Sequence, residues 1–289
     1  MTADGAGIGA NRYGKQAIRL VKVVRGGPSG HVVRDLTVGI TLEGDFARSY
    51  TDADNSLVIA TDTMKNTAYA LAPAHLGASI EAFGLVLARH FLEGPQVQAA
   101  TVTIAEHEWE RLRAADGPAP DAFRRTGGAT RTATVRAARD GTTVESGVAD
   151  LVVMKTSRSA FTGFPRDRYT TLPEASDRIM ATKVTATWRH GTPADGFDYD
   201  ADHAAVLATL LEVFADHDSE SVQHSIWVMG RAMLERHGEL DEVRMALPNL
   251  HHWLVDLAPF GGRNEGEIFV ATTEPHGLIE ATVRRETAS

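Results

Sequence analysis

Two stretches decide how this chain is organised: VQAATVTIAEHEW (97–109) and VRMALPNLHHW (243–253). Each follows an amphipathic helical pattern, residues 79–92 before the first and a helix from Ser221 before the second. Laid against each other they set His107 opposite His251 and Trp109 opposite Trp253. A helix-to-strand transition that recurs in both halves is the mark of an internal duplication.

Working outward, residues 17–25 and 31–42 read as a hairpin around Gly26-Gly27-Pro28-Ser29-Gly30, because β-branched runs flank a glycine-rich turn. A short strand is expected at 56–62 and helices at 64–72 and 79–92, the second with Ile80, Phe83, Leu87 and Phe91 at helical spacing. Strands follow at 97–112 and 130–139, then, past the turn Asp140-Gly141, at 147–155 and 182–189. Helices at 203–215 and 219–236 lead to strands at 242–257 and 267–285. The order is strand pair, helix pair, strand pair, twice over. Adjacent strand pairs with helices between them predict an α+β fold with antiparallel sheets. The expected domains are 1–141, with a flexible lead-in over 1–11, and 142–289.

The 289 residues suit two domains. A net charge of −9 argues against nucleic acid, whose binding rests on Lys and Arg neutralising phosphates. A local pocket can still be positive, so a small anionic substrate fits. The absence of cysteine excludes disulfides, thiolate nucleophiles and Cys-ligated zinc or iron–sulfur sites. No apolar run approaches the ~20 residues of a membrane span. With no basic-then-apolar leader and no SKL-like C-terminus, a cytoplasmic location is expected.

On a strand through 242–257, Val243, Met245, Leu247, Asn249, His251, Trp253 and Val255 share one face. Asn249 and His251 are polar on that face and need partners, in the core or in a ligand. His252 faces the other way, so the pair cannot chelate one metal from a regular strand. Pro248 suggests a bulge or an edge. In FTGFPRDRYTTLPEASDR (161–178), Thr171 and Glu174 form a capping-box pattern that predicts a helix from Leu172. The preceding loop carries Phe161, Phe164, Arg166, Arg168 and Tyr169. It reads either as a binding loop with a stacking surface and anion-binding forks or as aromatics folded onto the core. Thr61, with Leu57 and Ile59 on one strand face, ends a buried row before a helix that Asp62 or Thr63 could cap. Lys15 stands at the head of the first strand, where a lysine is usually just solvated. The acids of Asp198-Tyr-Asp200-Ala-Asp202 suit a helix N-terminus better than a calcium loop, which would need a downstream Gly and Glu.

Taken together, these segments resemble the urate oxidase (uricase) family. The matching stretches are YGKQAIRLVKVVR (13–25), DNSLVIATDTMKNTAYALA (54–72), FTGFPRDRYTTLPEASDRIMATKVTATW (161–188), LPNLHHW (247–253) and PHGLIEATVRR (275–285). The resemblance implies two tandem tunnelling-fold (T-fold) domains, each ββααββ with an antiparallel sheet and helices on one face, assembled as a homotetramer. It implies conversion of urate, O2 and water to 5-hydroxyisourate and hydrogen peroxide with no metal and no cofactor. It makes Lys15 and Thr61 a catalytic dyad, with Asp62 beside them, and Phe161 the aromatic that stacks on the purine. Arg178 and Gln223 grip opposite edges of urate, and Leu172 and Val222 supply pocket contacts. Asn249 lies at the oxygen site and His251 in the proton relay. The active sites are expected at subunit interfaces. Where the family often has Lys between the Asn and His of the PNxH segment, this chain has Leu250, which faces away from both. Two other readings are another T-fold enzyme acting on a purine or pterin, against which the lack of cysteine weighs, and an inactive purine-binding homologue.

Overall fold

The computed structural model describes residues 6–27, 30–77, 79–191 and 196–286. The first five residues of the lead-in, and Pro28 and Ser29 of the hairpin loop, lie outside the described residues. Two compact units emerge: Met1–Ser146 with His190–Asp202, and Gly147–Arg189 with His203–Ser289. The sequence boundary at 141/142 falls close to this division but does not anticipate that 190–202 joins the first unit.

The first unit runs β1 (Tyr13–Gly27), β2 (Gly30–Gly44), a short α1 (Ala47–Thr51), α2 (Thr61–His75), α3 (Ile80–Leu92), β3 (Val97–Glu106), β4 (Trp109–Ala114), β5 (Gly117–Arg125) and β6 (Thr130–Ala138). β1 pairs antiparallel with β2, β2 with β3, and β3 with β6. Alternation produces the core: Leu36, Val38, Ile40 and Leu42 of β2 all face inward and are fully buried. Ile80, Phe83, Leu87 and Phe91 of α3 are buried as their spacing predicts. Ser79 caps that helix, accepting from the Ala82 N–H at 3.1 Å. α3 lies on β3 and β6.

The strand expected over 97–112 is two strands. The His107 N–H still donates to the Asp35 carbonyl of β2 at 2.8 Å, but Trp109 pairs with Arg125 in a separate β4–β5 hairpin. A change of hydrogen-bonding partner, invisible to periodicity, ends β3. The strand expected at 56–62 is absent. Asp54 Oδ1 accepts from the Ser56 N–H at 3.0 Å and Val58 N–H donates to the Asn55 carbonyl at 3.0 Å, which folds DNS into a turn. Leu57 is consequently exposed, and Thr61 is the first residue of α2 rather than the end of a strand.

The second unit takes in β7 (Gly141–Lys155, from Gly147 on), β8 (Met180–His190), α4 (Tyr199–Asp216, from His203 on), α5 (Val222–Arg236), β9 (Leu240–Leu254), β10 (Phe269–Thr272) and β11 (Leu278–Arg284). β8 lies between β7 and β9. On its other side β9 pairs antiparallel with β11 through 242–248 and with β10 through 251–254. The expected strand 267–285 is therefore split, with Pro275 in the segment between its halves. Pro248 marks where β9 changes partner, which suits a residue without an N–H. α5 lies on β9 and β11, as α3 does on β3 and β6, so both units follow ββααββ.

A detail repeats more closely than the sequence comparison reveals. Ala17 in β1 and Asp150 in β7 both have left-handed backbone, φ 57° and 59°. Five residues on, Lys22 and Lys155 each drive an ammonium into the carbonyls that end a helix. Lys22 Nζ donates to Ala72, Pro73 and Leu76 at 3.2, 2.9 and 2.6 Å. Lys155 Nζ donates to Phe214 at 3.1 Å, Ala215 at 3.4 Å and His217. A cation on the negative end of a helix contributes up to ~2 kcal/mol when partly buried.

Candidate active site

The first unit contributes Lys15, Thr61 and Asp62. Gly14 lets β1 run close to β2 just before Lys15; a Cβ there would lie 1.9 Å from the Ile40 carbonyl oxygen. The left-handed Ala17 then bulges the strand between the Lys15↔Ile40 and Ile18↔Val38 pairs. Ile59 N–H donates to Tyr13 Oη at 2.7 Å. Two residues before Lys15 are thus tied to two residues before Thr61. Tyr13 has its phenol raised above the ordinary value, by burial first. No side chain caps α2, because the N-cap position is Ala60, so neither Asp62 nor Thr63 takes the capping role. The first-turn amides at Thr61 and its neighbours therefore take no side-chain cap. Asp62 accepts from Lys65 at 2.5 Å and Asn66 at 3.0 Å. These bonds, Lys65 above all, hold its carboxyl below the usual value, with Lys15 adding a smaller effect.

The second unit gathers Phe161, Leu172, Arg178, Asn249 and His251 around one cavity of about 530 Å³. Phe161 is held by its backbone, exchanging hydrogen bonds with Ala175 at 2.8 and 3.1 Å. Its ring stacks on Phe164 at 4.9 Å, with 12° between the planes. Arg178 Cζ lies 5.2 Å from the Phe161 ring centroid. The Arg178 N–H donates to the Ser159 carbonyl at 2.8 Å, while its side-chain Nε is buried with no hydrogen-bond partner among the described residues. Burial pushes that guanidinium below its usual value, yet it stays charged. A partly buried cation that lines a cavity and has no carboxylate partner among the described residues has the chemistry to hold an anion. Asn249 Nδ2 lies 3.5 Å from His251 Nδ1, and His251 stacks on Trp253 at 5.2 Å. Burial first, then Arg178 and His276, hold His251 below its ordinary value.

Val222 and Gln223 open α5, whose cap Ser221 accepts from the His224 N–H at 3.1 Å. Val222 is buried, Gln223 is exposed, and neither is among the residues lining the cavity. The helix expected from Leu172 does not form. Glu174, read as the far half of a capping box, instead accepts from the Gly163 N–H at 3.1 Å. This contact folds 161–175 into an irregular arm. Arg166 donates to the Leu172 carbonyl at 3.2 Å and Arg168 to the Tyr169 hydroxyl, so these arginines shape the arm rather than line the cavity. Sequence reasoning missed the tie from Tyr13 and the stacking of Trp253 on His251. The spacing of two on one strand face could have signalled the second.

The second unit thus holds an aromatic plate, a desolvated cation, an amide and an imidazole around one opening. That set has the chemistry to hold a flat anionic ring. The chain belongs to the uricase family: the family model described as uricase matches residues 11–136 and 144–280. It is similar to the uricase of Arthrobacter globiformis, 44% identical over 280 residues, covering 96% of this chain and 90% of that protein. It is also 36% identical to the uricase of Aspergillus flavus, covering 96% of this chain and 97% of that one. Its fold matches the crystal structure of the Arthrobacter globiformis uricase with a TM-score of 0.91 at 44% identity, over 99% of this chain and 97% of that one. A urate oxidase from Bacillus sp. TB-90 matches with a TM-score of 0.82 at 27% identity, over 95% and 100%. The α+β fold of tandem T-fold domains expected from the sequence is the fold observed.

Proposed function

We infer that this chain oxidises urate with O2 and water to 5-hydroxyisourate and hydrogen peroxide. The observation that carries this reading is Arg178, partly buried over the Phe161 ring, with a buried Nε that has no partner among the described residues, in the cavity lined by Asn249 and His251. Phe161 holds the plane of the purine and excludes water. Arg178 makes a charge-assisted fork to one edge, and the Gln223 amide donates and accepts at another. Lys15, working through the Thr61 hydroxyl, takes a proton from urate, which makes the ring a better electron donor to O2. Asn249 hydrogen-bonds oxygen above the ring and His251 passes protons. Atoms and electrons balance: urate gives up two electrons and two protons to O2, which leaves as hydrogen peroxide, and the oxidised ring then adds water, its hydroxyl to carbon and its proton to nitrogen. None of these steps calls on a metal or an organic cofactor. The two half-sites lie in different units, which suits a homotetramer in which Lys15 and Thr61 of one chain face Phe161, Arg178 and Gln223 of its neighbour. Among the described residues no helix is long and apolar enough to cross a membrane, and a cytoplasmic location is part of this proposal.

Following urate absorbance alongside dissolved oxygen tests the reading. Chelator-treated protein should consume both together, and Lys15→Met or Thr61→Ala should lose about 10²-fold or more in rate. Turnover reversibly abolished by chelation would overturn the cofactor-free mechanism. Binding of urate without oxygen uptake would overturn the oxidase reading.

A further inference from the structure

The groups assigned to the two edges of the substrate are joined by hydroxyls that no step above uses. Ser219 bridges to Ser159 in the arm that carries Phe161: Ala160 N–H donates to the Ser219 carbonyl at 2.7 Å, and Ser219 N–H donates to the Arg158 carbonyl at 2.9 Å. Ser159 also accepts from the Arg178 N–H at 2.8 Å. On the other side, Ser219 Oγ lies 2.8 Å from Ser225 Oγ, in the first turn of α5 behind Gln223. Ser225 Oγ in turn lies 2.9 Å from His217 Nε2. The two serines are 2% and 0% exposed.

Proton bookkeeping gives the chain a direction. His217 Nδ1 lies 2.8 Å from the Val213 carbonyl, which can only accept, so Nδ1 carries the proton and the neutral ring accepts at Nε2. Ser225 then donates to His217, and its lone pairs accept from Ser219. The Ser221 carbonyl, 3.1 Å from each hydroxyl, competes for the same protons. That carbonyl belongs to the residue that caps α5.

We propose that Ser219, Ser225 and His217 form a positioning relay, which sets the spacing between the Phe161–Arg178 arm and Gln223 and hence how tightly the substrate's two edges are gripped. The proposal rests on the site assignment above. A buried hydroxyl–imidazole pair with a purely structural part supplies the comparison: Thr209 Oγ1 lies 2.9 Å from His237 Nε2 in the same unit.

The test uses the full-length protein. Ser225→Ala should raise KM for urate about tenfold while kcat stays within about threefold. The dissociation constant for xanthine, a planar purine probe, should rise by the same factor. His217→Ala should move both constants in the same direction by a smaller factor, and it decides the matter if Ser225→Ala does not fold. Thr209→Val should lower thermal stability but leave KM and xanthine affinity unchanged. KM and xanthine affinity within about twofold of wild type in the relay variants, at a stability loss like that of Thr209→Val, would overturn the proposal. Gln223→Ala keeps the two readings apart. An unchanged KM there would overturn the site assignment, and the relay with it; a raised KM beside unchanged relay variants would overturn the relay alone.

Discussion

The stretch just past β3 and the end of β9 stand at the same step of their two units, and each carries a His and a Trp two residues apart, but their surroundings differ. In the first unit the polar atoms of the pair all have protein partners. His107 Nε2 lies 2.8 Å from Thr37 Oγ1 and its Nδ1 lies 2.9 Å from an Arg125 nitrogen, while Trp109 Nε1 donates to Asp35 at 3.0 Å. Asp35 is also paired with Arg19. In the second unit His251 meets Asn249 at 3.5 Å and lines a cavity. One copy of the duplicated stretch spends its polar groups on neighbouring strands, and the other has only a long Asn249–His251 contact at a cavity wall. The difference arises from what faces the strand. β2 brings Asp35 and Thr37 to β3, whereas the irregular arm 161–178 leaves an opening beside β9.

The sharpest way to break this comparison is to remove each histidine in turn. His251→Ala should lower kcat about 10²-fold, measured by oxygen uptake, whereas His107→Ala should leave it within about twofold. Equal losses would mean that the first unit's strand end is also catalytic. Smaller effects are expected from the indoles in denaturant unfolding. Trp109→Phe should cost about 1–2 kcal/mol, because Asp35 Oδ2 loses its donor while Oδ1 keeps Arg19. Trp253→Phe should cost within about 0.5 kcal/mol, since Trp253 is half exposed. The smallest effect sharpens the electrostatics. His251 has its pKa lowered, so its neutral form persists below the ordinary value of about 6.5, and activity that needs that form is lost only as pH falls through the lowered pKa. Removing the His276 neighbour in His276→Ala should move the acid limb of kcat to higher pH. A limb that does not move would remove His276 from the relay's surroundings.

Much of the scaffold was legible because it obeys local rules. Period-two burial on β2, helical spacing on α3 and the Ser79 cap all follow from residues a few positions apart. Asp198, expected ahead of a helix, accepts from the Ala201 N–H at 3.0 Å as a cap should. Reading failed where a side chain chose a partner from outside its window. Thr171 and Glu174 satisfy a capping-box pattern, yet Glu174 reaches eleven residues back to Gly163. Residues 56–62 look apolar and alternating, yet Asp54 turns the chain just before them. For the site, periodicity could mark Asn249 and His251 as polar on a buried face, but it could not choose between a structural pair and a ligand contact. Lys15 and Thr61 stood out locally but read more readily as a solvated lysine and a helix start, Gln223 carried no local signal, and the roles of all three come from the family resemblance. The unpaired Nε of Arg178 became visible only once the arm was folded.

The nests of carbonyls around Lys22 and Lys155 bear on how the protein would respond to amine-directed reagents. The chain has five lysines. A protonated amine whose three hydrogens are all engaged has no lone pair to offer an acylating agent, and that describes both of these. Lys183, half exposed and paired at 3.1 Å with an exposed Asp150, is far easier to reach. Acylation of the folded protein would therefore reach more open amines such as Lys183 first, and Lys22 and Lys155 only when the helix ends they hold come apart. Those two amines are built-in reporters of unfolding, one for each copy of the repeat.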